Sequence, residues 1–446
     1  MVETQYIDLF NRHRKTIDEK SADVLNRQRD RALEVFKEKG LPTNKLEDYL
    51  NSDIAGKFST EYGLNINQFI PKINPYIAYK CSVPNLSTNL YFLLNDSFSS
   101  NFQPQVNYSK DVYIGSLKDF AVKYPEVCSK YYGKIADVDK NGVVAFNTMF
   151  AQDGFVVYVP DNTVIEHPLQ LTNILSANAD FLVNRRLLLI AGKNARFKLL
   201  TCDHTVDDVN FLATQVTEIF ADEDSHIDFY EIEETSDKTT RLSSTFIYQE
   251  RNSNVLVNNI TLHCGFTRNN YYLKLNGEYA EGHVCGAIIA GKKQHVDNFV
   301  FVDHAKPNCH SNQLFKYVLE DESLGVFCGR ILVEQDAQKT LAYQSNNNLC
   351  SSPSAQMFSK PQLEIYADDV KCSHGLTTGQ LDEEALFYLR ARGISKEEAK
   401  LMLMQAFVSG VLELVRLDVL KERLYNLVEK RFKGESVRCG DCLICK

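Results

Sequence analysis

The stretch Lys360-Pro361-Gln362-Leu363-Glu364-Ile365-Tyr366-Ala367-Asp368-Asp369-Val370-Lys371-Cys372-Ser373-His374-Gly375 separates a long region of strand patterns from a helical C-terminal segment. Leu363, Ile365 and Ala367 alternate with polar residues, which predicts a half-buried strand. Cys372 and His374 are two residues apart, so both side chains face the same side of an extended chain. A thiol and an imidazole can bind a transition metal together. Taken alone, the pattern favours the simpler interpretation of a packed cysteine and a hydrogen-bonded histidine.

The region before this stretch has a repeating pattern. Between residues 155 and 375, short apolar runs end at small or acidic turn signals, which begin 30, 28, 28, 26, 31 and 33 residues apart from Ala191 onward. A period near 30 without inserted helices predicts a mainly β fold built as a stacked solenoid, in which alternate residues face inward. A β-sandwich is the main rival, because closely spaced turns also suit it.

The segments on either side of the solenoid have helical patterns. Residues 5–39 predict one helix that stops at Gly40, and Thr43 is the expected N-cap of a short second helix. Residues 50–145 predict a small α/β region. Ser395 opens a helix with a capping box, and residues 399–414 are apolar almost all round, which indicates burial against the solenoid or a partner. We expect four units, at residues 1–145, 146–376, 377–433 and 434–446.

Composition and motifs exclude several function classes. The net charge of −9 disfavours a nucleic-acid surface, and no apolar run of 18 residues predicts a membrane helix. Twelve cysteines without a signal-peptide pattern predict free thiols in a reducing cytoplasm. No phosphate-binding loop of the G-x-x-x-x-G-K-[ST] type and no G-x-S-x-G or H-E-x-x-H motif occurs, so the chain is not expected to be an enzyme of those classes.

Cysteine and histidine recur in close pairs. Besides the pair in the opening stretch, there are four more: Cys202/His204, His263/Cys264, His283/Cys285 and Cys309/His310. Each pair taken alone is more often structural. The tail Cys439-x-x-Cys442-x-x-Cys445 is a stronger signal, because two-residue gaps let successive thiolates reach one metal ion. Metal or redox use and an unstructured reactive tail both remain open for it.

Several motifs together resemble the SufB/SufD family of iron–sulfur cluster assembly scaffolds, and SufD more than SufB. The specific part is residues 366–375, followed by Gly379-Gln380-Leu381-Asp382 and residues 387–394. Similar matches are spread over most of the chain, at His304, Ser311, Tyr317, Phe327-x-Gly329-Arg330-Ile331, Ala337-Gln338, residues 346–349 and Gly40-Leu41-Pro42-Thr43 with Glu47. The tail from Cys439 departs from the family pattern.

This resemblance implies a right-handed parallel β-helix between an N-terminal α/β region and a C-terminal helical domain. It also implies a non-catalytic scaffold in complex with a SufB paralogue and two copies of SufC, an ABC-type ATPase gripped by the C-terminal helices. A transient iron–sulfur cluster would form at the SufB interface near Cys372 and His374, with His374 as the expected ligand. A flavin in the whole complex is a further cofactor that the resemblance allows.

Two other functions are weighed against this one. A β-helix carbohydrate-active enzyme would need clustered carboxylates and usually export, and the cysteine content argues against it. A thiol-based metallochaperone would act through Cys439, Cys442 and Cys445 alone. Without partners, we expect a homodimer through the edge of the solenoid, since an unpaired edge invites pairing.

Overall fold

A parallel β-helix of about eight turns forms the centre of the computed structural model, which describes residues 2–78, 88–109 and 111–434. Each turn adds one strand to each of two sheets. Sheet A contains β1 (Gly63–Leu64), β4 (Tyr113–Ser116), β5 (Phe155–Val159), β7 (Phe181–Ala191), β9 (Phe211–Ala221), β11 (Thr239–Gln249), β13 (Phe266–Leu275), β15 (His295–His304), β17 (Leu324–Val333) and β19 (Gln356–Ile365). Sheet B contains β2 (Asn89–Leu94), β3 (Ser97–Phe98), β6 (Leu169–Leu175), β8 (Arg196–Thr205), β10 (His226–Glu234), β12 (Asn254–His263), β14 (Glu281–Ala290), β16 (His310–Leu319), β18 (Leu341–Cys350) and β20 (Lys371–Gly379).

The register confirms the predicted period. Ala191 pairs with Ala221, Ala221 with Gln249, and Gln249 with Leu275, and the turn signals lie at the ends of these strands. Neighbouring strands from β5 to β20 are parallel, and each is the next but one in the chain. A β-sandwich pairs its strands antiparallel, so the rival fold is wrong.

Alternation along each strand divides the residues between the interior and the outer layers. In β7, Leu187 and Leu189 face the interior, whereas Leu188 and Ile190 lie under the N-terminal helices. In β8, Leu199 faces the interior and Leu200 lies under the C-terminal helices. Strands buried on both faces are typical of parallel sheets with covered faces, which explains their continuous apolar runs.

One corner of the solenoid has the same backbone conformation in turn after turn. A residue with φ between 56° and 62° recurs there, at Asn162, Asn194, Asp224, Asn252, Tyr279, Asn308 and Lys339. Asn and Asp adopt this left-handed conformation more readily than other side-chain-bearing residues, which explains the polar turn signals of the sequence. The side chains also stack, since Asn194 Nδ2 donates to Asn162 Oδ1 at 3.0 Å.

The predicted single helix over residues 5–39 is wrong, because three helices occupy that range: α1 (Val2–Glu19), α2 (Asp23–Asn26) and α3 (Arg29–Lys39). The break lets α1 and α3 pack together around α8 (Gly142–Phe150), burying Phe10, Phe36 and Phe146. The buried Arg29 guanidinium lies at the joint and donates to the Ala151 carbonyl at 2.7 Å. A straight helix could not bring both halves against a helix as short as α8.

The end of α3 confirms one prediction and contradicts another. Gly40 follows α3 with φ of 61°, so the predicted stop is confirmed. Thr43 caps no helix; a short 3-10 helix at Glu47–Tyr49 follows Leu46, and Asp53 caps α4 (Ile54–Lys57) by accepting from Gly56 N at 3.2 Å. The remaining N-terminal elements are α5 (Pro75–Ala78), a 3-10 helix at Ser100–Phe102, α6 (Leu117–Lys123) and α7 (Pro125–Tyr131).

The C-terminal helices lie on the outer face of sheet B. They are α9 (Glu383–Ala391), α10 (Lys396–Leu412) and α11 (Asp418–Phe432), and the Ser395 capping box is confirmed. One side of α10 packs on sheet B through Met404, Val408 and Val411, and Asn258 Nδ2 donates to the Val411 carbonyl at 3.1 Å. Across the described ranges, no helix is long and apolar enough to cross a membrane.

Candidate functional site: the open end of the β-helix

The last turn leaves one end of the solenoid uncovered, and we call β19, β20 and the adjoining β18 the open end. In the described chain, β19 pairs only with β17 and β20 only with β18, so each presents a free strand edge. Large apolar side chains on these strands and their connection are between 39% and 64% exposed, namely Tyr343, Phe358, Ile365, Tyr366 and Leu376. A long apolar edge of this kind is a template for another chain.

The structure of the open end corrects the prediction of a single half-buried strand that includes Leu363, Ile365 and Ala367. The stretch from Lys360 is not one strand, because β19 ends at Ile365, Ala367 lies in the turn and β20 begins at Lys371. Ala367 is buried but Ile365 is 40% exposed. The expected burial of Ile365 fails because no further turn of the solenoid stacks on β19 to cover it.

Cys372 lies near the start of β20, opposite Ala342 of β18. Its side chain is half-buried and packs against the interior cluster of the solenoid. Burial raises the pKa of the Cys372 thiol, so the thiol holds its proton more firmly than a free cysteine does. A metal or a nearby cation is needed to convert it to the thiolate, the form that binds iron.

His374 lies two positions further along β20, opposite Gln344, and is exposed. Its register neighbour Gln344 is buried and donates from Nε2 to Gln313 Oε1 of the preceding turn at 2.7 Å. In the described ranges, no three His, Cys, Asp or Glu residues lie close enough to hold a metal ion. Cys372 and His374 therefore offer at most a partial ligand set.

Amide and hydroxyl groups join the three strands of the open end from within. Ser359 Oγ of β19 donates to Asn346 Oδ1 of β18 at 2.7 Å, and Asn346 Nδ2 donates to Asn348 Oδ1 at 3.0 Å. Asn348 Nδ2 in turn donates to Thr378 Oγ1 of β20 at 3.2 Å. These bonds hold the edge strands in place although nothing covers them.

Sequence reasoning missed a contact between the N-terminal region and the open end. The Lys360 ammonium pairs with Glu47, while Arg330 lies 3.5 Å from Asp48 and 3.6 Å from Glu364. Glu47 and Lys360 are 313 positions apart in the sequence, and Asp48 and Arg330 are likewise distant. No local pattern signals such a pairing, which only the three-dimensional fold brings about.

The other Cys/His pairs contribute cysteines to the packed layers. Cys202 and Cys285 lie under the C-terminal helices, and Cys264 and Cys309 face the interior. Burial raises the pKa of Cys285 to about 12 and that of Cys309 to about 11. Among the family-motif residues, His304 Nε2 lies 2.8 Å from Ser311 Oγ inside the solenoid. Cys439, Cys442 and Cys445 lie outside the described residues, which end at Gly434.

Comparison with known proteins gives consistent matches. Residues 173–407 match the family described as "SUF system FeS cluster assembly, SufBD core domain", and residues 1–171 match "SufBD protein N-terminal region". An iron–sulfur cluster assembly SufBD family protein of Synechocystis is 26% identical over 432 residues, covering 92% of this chain and 91% of the relative. The iron–sulfur cluster assembly protein SufD of Escherichia coli is 40% identical over 167 residues, covering 37% of this chain and 40% of SufD. SufD of Bacillus subtilis is 23% identical over 327 residues, covering 73% of this chain and 75% of that protein.

Proposed function

Because this chain belongs to the SufBD family of SUF-system iron–sulfur cluster assembly proteins, we propose that it is a SufD-like scaffold subunit in a complex with a SufB-like paralogue and a SufC-like ATPase. The chain itself is not the enzyme in this proposal, since the SufC-like partner hydrolyses ATP. The complex works in the cytoplasm, where cysteines stay reduced.

The observation that carries the proposal is the partial ligand set on a free edge. Cys372 and His374 lie on one face of β20, whose outer edge has no strand partner in the described chain. A nascent iron–sulfur cluster is the substrate here, and its iron needs thiolate or imidazole ligands that the two residues can supply only in part. A SufB-like paralogue docked on the open end would supply the rest.

The two glycines of β20, Gly375 and Gly379, have free space beside them. A side-chain Cβ atom at either position would have no other atom within 4 Å. The space next to the candidate ligands is therefore open to a partner's backbone or to the cluster. His374 is the expected direct ligand, because it is exposed whereas Cys372 is half-buried.

The C-terminal helices are the proposed ATPase-docking unit, at residues 377–433. Phe387 and Tyr388 of α9 are 74% and 57% exposed, and Met402 of α10 is 45% exposed on the side away from sheet B. Apolar side chains on helices that are already anchored to a sheet favour docking of a second protein. Residues 146–376 form the pairing unit in the same proposal, and a homodimer through the open end is the expected state when both partners are missing.

The test of the ligand assignment is His374→Ala in the co-expressed complex. We expect at least a tenfold loss of iron and acid-labile sulfide per complex, with the complex itself intact, because an exposed side chain contributes little to stability. His167→Ala, at another exposed histidine outside the open end, is the matched control and should keep the full cluster content. Equal cluster content in both variants would remove His374 from the ligand set.

A further inference from the structure

The fold separates the members of two Cys/His pairs and brings their histidines together. In the pair His283/Cys285, both side chains are on the outer face of β14, but Cys285 is buried under the C-terminal helices whereas His283 is only half-buried. In the pair Cys309/His310, Cys309 faces the interior, so His310, which begins β16, points to the outer face. Because β14 and β16 are neighbours in sheet B, the two histidines lie side by side.

The spacing of the two imidazole rings is that of two ligands on one metal ion. The ring centroids of His283 and His310 are 5.6 Å apart, and the ring planes cross at 85°. A ring nitrogen binds zinc at about 2.1 Å, and a further distance of roughly 1.1 Å to the ring centre puts the centroids of two imidazoles on a tetrahedral ion about 5 Å apart. A small rotation of each side chain therefore aims one nitrogen of each ring at a shared ion.

The charges around the two histidines favour a cation. Glu281 is exposed and in register with His310, so its carboxylate adds negative charge beside the pair. Arg416 acts against a cation, but its Nη1 is paired with Asp228 at 2.9 Å, which weakens its repulsion. Burial, followed by the charges of Arg416 and His310, lowers the pKa of His283 to about 4. The His283 ring is therefore neutral at pH 7 and has a lone pair for a metal.

We propose that His283 and His310 together bind one divalent transition-metal cation, and that this is the site at which Fe²⁺ first binds the chain. Imidazole suits iron, zinc, nickel and copper. No third His, Cys, Asp or Glu of the described chain is close enough to share the ion, so water fills the remaining positions. Structural zinc sites use four protein ligands and catalytic ones three, so a site with two should exchange its ion readily. Such a site suits an ion that is passed on.

The histidine pair lies close to the open end. His310 is in register with Leu341 of β18 and Lys371 of β20, so it lies two strands, or about 10 Å, from the residue that precedes Cys372. An ion released by the pair is therefore close to the candidate cluster ligands. The entry of Fe²⁺ at this site rests on the proposed function, whereas the cation site itself does not, because it needs no partner chain.

The test of the cation site is a calorimetric titration of the full-length, metal-free chain with Ni²⁺. To prevent competition from the tail thiols, every protein in the test carries Cys439→Ser, Cys442→Ser and Cys445→Ser. We expect a site for one Ni²⁺ whose affinity falls at least tenfold in His283→Gln and in His310→Gln alike. His167→Gln, at an exposed histidine elsewhere in the chain, is the matched control and should leave this affinity unchanged.

Unchanged Ni²⁺ affinity in either single variant would overturn the shared site, because the other histidine would then bind the ion alone. If a variant does not fold, pulsed electron paramagnetic resonance of one equivalent of Cu²⁺ on the chain with both histidines decides instead. Two coordinated imidazoles are the expected result, and a single one would contradict the proposal.

The entry of iron is tested separately, by cluster formation in the purified complex. His310→Gln should slow cluster formation at limiting Fe²⁺, with a much smaller effect at saturating Fe²⁺, because only loading is impaired. His374→Ala should lower cluster content at both concentrations. Equal rates for His310→Gln and the wild type at limiting Fe²⁺ would refute the iron-entry role. A wild-type complex that forms no cluster would instead count against the scaffold proposal.

Discussion

Inside the β-helix, buried charged side chains form ion pairs and hydrogen bonds with one another. Arg241 lies 2.9 Å from both Asp203 and Glu231, and the Tyr271 hydroxyl donates to Glu231 at 3.1 Å. Glu233 is the exception, since it accepts from Thr267 at one oxygen while its Oε2 is buried without a hydrogen-bond partner in the chain. Burial raises the pKa of Glu233 to about 7, so the carboxyl holds a proton that the unfolded chain releases near pH 4.5.

Glu233 should therefore make stability depend on pH. The folded state binds more protons than the unfolded state between about pH 4.5 and 7, so this group's stabilisation is lost as the pH rises through that window. Glu233→Gln mimics the protonated carboxyl and should be more stable than the wild type at pH 8, by up to about 3 kcal/mol, but similar at pH 4.5. Urea unfolding at both pH values checks this, and a wild-type advantage at pH 8 would contradict it.

At the scale of the elements, the strands of the β-helix recur at a regular spacing because one corner of each turn has the same left-handed backbone conformation. Asn252 is in the left-handed conformation with φ of 57°, and its side chain bonds to Asp224 of the preceding turn. Asn252→Ala should destabilise the chain, because alanine is strained at positive φ. Asn252→Gly loses the same side-chain bond without the strain, so it should be more stable than the alanine variant by about 1 kcal/mol in thermal or urea unfolding. Equal stability of the two variants would show that the corner is not a conformational constraint.

The exposed side chains of the edge strand β20 should contribute little to folding but should be needed for association. Leu376 is 43% exposed, so Leu376→Lys should change the free energy of unfolding of the isolated chain by less than about 0.5 kcal/mol. The same change places a charge in the proposed apolar interface and should weaken binding of the SufB-like partner at least tenfold, measured by calorimetry. Val122→Lys, at a 68% exposed valine of α6, is the matched control. Unchanged partner binding by Leu376→Lys would move the interface away from the open end.

The strands and the later helices were predictable from sequence because their signals are local. The turn signal at Ala191 marks the end of β7 in the structure, and the Ser395 capping box opens α10 as its pattern indicates. Tertiary packing overrode the local signal at two places. The buried Arg29 accompanies a break in the long N-terminal pattern, and the absence of a following turn exposes Ile365.

The candidate site was predictable only in part for the same reason. Spacing in the sequence puts Cys372 and His374 on one face, and strand β20 carries both. The Gln344–Gln313 bond beneath β20 and the ion pairs that join Glu47 to Lys360 and Asp48 to Arg330 depend on residues that are not neighbours in the sequence.

At the scale of the whole molecule, the described residues expose apolar side chains both at the open end and on the C-terminal helices. The open end exposes Tyr366 and Leu376 beside the candidate ligands, and the C-terminal helices expose Phe387 and Tyr388. The helices are anchored to the solenoid by polar contacts as well as apolar packing, since Arg416 lies 2.9 Å from Asp228 of β10. Two surfaces on a single body suit a subunit that contacts a paralogue and an ATPase at once.

The measurement that tests this account most directly is the mass of the complex purified after co-expression of the chain with a SufB-like paralogue and a SufC-like ATPase. Multi-angle light scattering should give one copy of each paralogue and two of the ATPase, because each paralogue would hold one ATPase through its C-terminal helices. If this chain elutes apart from both partners, the scaffold proposal is wrong, and a metallochaperone acting through the cysteine tail becomes the better account.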